Sequence, residues 1–286
     1  MIEIGYTESR RKEERTNVKN KSIILPFKRT IKRGVLHMYK RLTTAVFQSI
    51  LKRRDTKIFL SFCLLPILVP FLAGNMEDMK TDYTNSFLSF FDITLLTQYR
   101  LTIPVLIFSI LISSVFRDEI DSKIMFLYKD IKRSKIFNAK ILGLFLVYIL
   151  YLFGTFFATF ITYYGIMLPR FGVDSNFLPS SSILVEKSIL SILSVVLLNL
   201  ITTVMVAMVS IKSKTLVAVL VGIFFTLFAF TAPLLIGVKY VIPTTYANAL
   251  QAGEFGLTML VIIGLSCIYL LPSYLSARKN FEKIEF

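Results

Sequence analysis

There is no tryptophan in this chain, and only one histidine and two cysteines among 286 residues. A lone histidine, His37, cannot build a histidine-based metal or catalytic cluster within one chain. Cys63 and Cys267 both lie inside apolar runs, without metal-ligand spacing, and imply no disulfide framework. No G-x-x-x-x-G-K-[ST] segment occurs, so the chain cannot cradle nucleotide phosphates by that route. Nor is there a polar stretch long enough for a nucleic-acid-binding module. The net charge of +15 therefore points to the basic flanks of membrane spans and to anionic lipid, not to nucleic acid. No cleavable signal is expected, because the first apolar run begins at Ile58, behind a long charged lead.

What the chain has instead is apolar length. Hydrophobic residues make up 55% of it, 26 of them Phe, and the mean hydropathy is +0.67. These values belong to an integral membrane protein. Six runs have the length to cross a hydrocarbon layer of about 30 Å as helices: 58–73, 96–116, 141–168, 188–211, 215–238 and 255–275. The first is short, and Lys57 extends it by snorkelling. Arg100 would be costly at mid-bilayer, so it is placed at the outer headgroup level. Glu186 and Lys187 read as a local ion pair at a span edge. No carboxylate pair lies deep in a run, which argues against an ion-driven carrier.

Lysine and arginine divide unequally between the two sides. Lys80, Arg100, Arg170, Lys187 and Lys239 fall on one side and the other 28 of the 33 on the opposite side. The positive-inside rule then makes both termini cytoplasmic. Four parts are expected: a basic, disordered tail (1–33), an amphipathic interfacial helix (34–57), a six-span domain (58–276) and a cytoplasmic C-terminal tail (277–286). Val35, Met38, Tyr39, Leu42, Val46 and Ile50 carry the helical spacing of the second part.

Between spans two and three the segment 115–141 is crowded with charge. Ile120, Ile124, Leu127 and Ile131 form one helical stripe, with Asp118, Asp121, Lys129, Lys132 and Arg133 away from it. Glu119 and Lys123 stand at i, i+4 in the favourable order for a pair. A short amphipathic helix with a mixed-charge face suits docking of a soluble partner.

This order of an apolar span, "FRDE", a helix, "YKDIKRSKIFNAKIL" and a long span resembles the membrane subunits of type-2 ABC transporters. Glu119, Leu127, Arg133 or Lys135, and Lys140 match that family's loop. Ser122–Lys123 replaces its Gly-Thr pair, and "DIKRSK" its Pro-x-Ser-Arg element. The resemblance covers roughly 34–276. It implies an all-α membrane protein of six transmembrane helices, with an N-terminal amphipathic surface helix and a cytoplasmic coupling helix between spans two and three.

The implied function is that of a permease subunit in a bacterial plasma membrane. It would export an amphipathic peptide, drug or lipid-like cargo. A second permease subunit and separate ABC-type ATPase subunits would complete it, and those ATPases would bind ATP and Mg. Coupling residues would be Glu119, Asp121, Lys123, Leu127, Arg133 and Lys135. Pro243, Tyr246 and Leu250 resemble the family's outer segment, where Thr244 is expected to cap a short helix. Asn199, the one amide deep in a span, and the span-three aromatics Tyr148 and Phe156 are candidates for the translocation path. Bundle packing is their plainer role. The alternatives are a membrane anchor or sensor that binds a signalling partner through its long tail, and a secondary carrier.

Overall fold

The computed structural model describes residues 41–72, 85–122 and 131–284. The chain divides after Ala45 into two units. Of the first, residues 41–45 are described and are helical. The second, Val46–Phe286, carries the apolar helices, and no strand occurs among the described residues. It begins in helix over 46–52 and continues as α1 (Arg54–Ser61), a 3-10 turn and α2 (Leu65–Leu72). Then come α3 (Phe87–Arg100), α4 (Thr102–Ser113), α5 (Arg133–Phe160), α6 (Ser182–Ser210), α7 (Thr215–Thr231), α8 (Pro243–Asn248) and α9 (Phe255–Glu282).

Four helices are long and apolar enough to cross a membrane: Arg133–Phe171, Ser182–Ser210, Thr215–Leu234 and Phe255–Glu282. The pair Phe87–Arg100 and Thr102–Asp121 makes a fifth if counted as one span bent by 64°. This is the make-up of a multi-pass membrane protein.

The first expected span, 58–73, is not one continuous helix. Pro66 has no N–H to return to the Phe62 carbonyl, and the chain tightens into a 3-10 turn at Phe62–Leu64. The Phe62 carbonyl accepts instead from the Leu65 N–H, and Gln98 of α3 adds a second donor, its Nε2 lying 3.3 Å from the same oxygen.

The second expected span, 96–116, starts earlier and is broken. Ser86 caps α3 by accepting from the Ser89 N–H, and the Phe87 and Leu88 N–H groups donate to the Asn176 and Phe177 carbonyls at 3.0 Å each. The Phe87 ring lies among Phe156, Phe160, Tyr163, Tyr164 and Phe177. Tertiary packing thus extends the helix beyond the apolar run. The break at Leu101 has its own cause. Pro104 has no N–H for the Arg100 carbonyl, and its ring would clash there in a continuous helix, whereas the first turn of α4 tolerates it.

Three further expectations change. Residues 277–282 are no tail: α9 runs to Glu282, with Ala277 and Phe281 fully buried. Thr244 caps nothing. Pro243 opens α8, Thr244 is buried inside it, and Leu250 lies past its end. Ile50 does not rest on a membrane surface but is buried in the largest apolar cluster, with Phe59, Phe108, Leu144 and Phe281. Gly143 makes room for it, since a Cβ there would stand 2.9 Å from Ile50 Cδ1.

Close helix contacts rest on small residues. A Cβ at Gly154 would lie 2.8 Å from Cys63 Sγ, and one at Gly222 only 2.3 Å from Ser109 Oγ. In an apolar solvent such approaches supply dispersion contacts that burial from water cannot. Gly222→Ala should therefore destabilise the purified protein by about 1–3 kcal/mol, read as a lower midpoint of thermal unfolding in detergent. Ser109→Ala should restore part of the loss in the double variant, because the nearest obstructing atom is gone. Additive losses would show that this contact is not the constraint.

Candidate functional site

At one end of the helices, three distant segments meet on a single carboxylate. Beyond Ser113 the α4 helix widens into a π turn, Ser114–Asp118, and runs on through Glu119 to Asp121. Widening shifts the hydrogen-bond register and leaves carbonyls without their usual donors. Arg53 reaches one of them, its Nη1 lying 2.9 Å from the Ser114 carbonyl oxygen and 2.6 Å from Ser114 Oγ. Lys140 reaches the next, with Nζ 2.8 Å from the Val115 carbonyl oxygen.

Both cations then close on Glu119. Arg53 Nη2 is 2.6 Å from Oε1, and Lys140 Nζ is 2.7 Å from Oε2. The Lys140 side chain is 3% exposed, and its ammonium also lies 5.3 Å from the Phe116 ring centroid and 5.7 Å from that of Phe281. Arg53 and Lys140 share the Glu119 carboxylate, and backbone carbonyls and ring faces add to the surroundings of the two cations. Arg53 precedes α1, Glu119 ends the broken α3–α4 pair, Lys140 opens α5, and Phe281 closes α9.

The same end is tied in other ways. Arg133 begins α5 and donates to the Glu282 carbonyl at 3.0 Å and to that of Ile284. Tyr274 donates to Asn138 Oδ1 at 2.7 Å, and the Ser113 and Thr215 hydroxyls lie 3.1 Å apart. Thr56 fastens the bend at Arg53 by donating to the Ile50 carbonyl at 2.6 Å.

The residues singled out in the sequence fare differently. Glu119 belongs to this part-buried cluster. Arg133 holds the chain's last helix rather than a loop face, and Lys135 is half-buried in the first turn of α5. Asp121 is exposed and pairs with Arg117 at 2.8 Å. Lys123 and Leu127 lie outside the described residues, as do His37 and the expected pairing of Lys123 with Glu119. Arg53 is not among the residues that the sequence pattern marks. The available signal was Lys140: a lysine between apolar residues in "FNAKIL" requires a partner.

A second polar group lies deeper. Gln98 Oε1 accepts from Tyr151 at 3.0 Å and Thr155 at 3.4 Å. Gln98 and Tyr151, with Tyr99, Tyr148 and Asn199, line a small cavity of about 20 Å³, beside the break at Leu101. That is room for about one water. Tyr148 and Asn199 therefore do come together, while Asn199 also donates to its own helix at Val195. Phe156 is elsewhere, packed edge-on to Phe87 and Phe91. At α8, Tyr246 donates to the Tyr240 carbonyl, Ser194 reaches the Pro243 carbonyl at 3.5 Å, and Leu250 packs on the cluster of Leu190, Ala247 and Ile262.

No family model, curated protein or solved structure matches the chain.

The charge count of the cluster sets an order of damage. Glu119→Gln leaves two cations facing each other without an anion and should destabilise by about 3–5 kcal/mol. Lys140→Met leaves the Arg53–Glu119 pair intact and should lose less. Unfolding of both variants in the same detergent measures this, and the reverse order would refute the assigned pairing.

Proposed function

We propose that this chain is the six-span permease subunit of a bacterial ABC exporter. It would form the path for an amphipathic peptide, drug or lipid-like cargo, and separate ATPase subunits would power it. One observation carries the reading: the segment that begins at Glu119 is rooted in a carboxylate gripped by Arg53 and Lys140. Anything that displaces this root moves the start of α1, the end of α4, the start of α5 and, through Phe281, the end of α9. A docking loop needs that property, because a partner's motion is useful only where several spans respond together. The concentration of Lys and Arg at this end favours the cytoplasmic side for it. Exposed Asp121 and Arg117 offer charges outside the cluster for a partner to read. ATP and its Mg would be bound on the partner, and a second permease subunit would complete the path.

The test is to tag the chain in its native host, extract it in mild detergent, and identify what accompanies it. A soluble ATPase in stoichiometric amount is expected. Asp121→Lys should reduce its capture several-fold while the chain still inserts, because Asp121 lies outside the buried cluster. Removal of residues 1–33 should leave transport intact. A chain that purifies alone, or with a signalling protein held through that tail, would replace this reading with a membrane anchor or sensor.

A further inference from the structure

Arg100 occupies a place that its charge makes expensive. It ends α3 at the break, exposed, and makes no ion pair; its guanidinium carbon lies 4.9 Å from the Phe230 ring centroid. Its depth follows from the helices. Ser113, at the far end of α4, bonds Thr215 at the first turn of α7, next to Lys212 and Lys214. The 12 residues of α4 rise about 18 Å from there to the break. The 14 residues of α3, inclined at 64° to α4, add only about 9 Å. Phe230, fifteen residues beyond Thr215 in the last turn of α7, lies about 22 Å from the same end, so Arg100 stands towards the far side of a layer of about 30 Å.

Its surroundings are apolar and exposed. Leu101 and Ile103 flank it, and Phe224, Leu227 and Phe230 form a slanted row along α7 at three-residue intervals. A guanidinium on such a wall needs a counter-charge. Among the described residues no carboxylate lies within salt-bridge distance of it. On a wall that faces lipid, the phosphate of a headgroup on the far side is the anion its long side chain can reach.

We propose that Arg100 and Phe230 form a binding site for an anionic membrane phospholipid. The phosphate lies on the guanidinium, which presents paired donors to it, and one acyl chain follows the row Phe230–Leu227–Phe224. This goes beyond the permease reading and depends only on membrane insertion.

The chain's lack of tryptophan supplies the probe. Phe230→Trp introduces a single fluorophore at the site and preserves a ring beneath the guanidinium. The full-length variant is placed in vesicles of zwitterionic lipid, with brominated phosphatidylglycerol or brominated phosphatidylcholine as quencher. The expected result is half-quenching at about fivefold lower mole fraction of the anionic lipid. Arg100→Gln in the same background should remove that preference, and Arg100→Lys should keep part of it. Equal quenching by the two lipids with Arg100 present would overturn the proposal, whether or not the Arg100 variants fold. So would a fluorophore that neither lipid quenches until the protein is diluted to one copy per vesicle, which would assign the face to a second copy.

Discussion

The carboxylate of Glu119 is the group on which the basic end of this protein depends. The π turn before it offers the Ser114 and Val115 carbonyls, which accept from Arg53 and Lys140. Glu119, one turn further on, contacts both cations with its two oxygens. Loss of the carboxylate would take a charge partner from a part-buried guanidinium and from a buried ammonium. Such a cluster contributes little to stability compared with apolar packing of the same volume. What it gives is a fixed geometry among segments 66 and 21 positions apart in sequence from Glu119.

Elsewhere a polar side chain adds to a backbone bond already made. The Phe62 carbonyl accepts from the Leu65 N–H in the 3-10 turn and again from Gln98, whose oxygen accepts from Tyr151 and Thr155. The cavity beside Tyr148 and Asn199 lies where two interruptions come close, the one before Pro66 and the one before Pro104.

The sequence shows the long spans plainly because α5, α6, α7 and α9 are each dominated by an uninterrupted apolar run, and hydropathy reads such runs directly. It shows the broken elements poorly. Phe87–Leu95 joins α3 only through the aromatic packing of Phe87 and the loop carbonyls of Asn176 and Phe177, which no local pattern encodes. Periodicity placed Glu119 on a helix but paired it with its own neighbour, since an i, i+4 rule cannot see Arg53 or Lys140. Arg100 was placed at headgroup level from its charge alone; no local pattern showed that it ends a helix at the Leu101 break, beside Phe230.

These features together say where the chain can yield. Glu119, the π turn and α4 are one continuous helical body, stiffened at one end by the ion cluster and along its side by the Ser109–Gly222 contact. That body ends at Leu101, where the backbone turns extended. On its other side are Gln98 and Tyr99, which line the cavity, and Arg100, which faces the apolar wall. On the permease reading, a displacement applied at Glu119 would meet this break first and be expressed there as a change of tilt of α3.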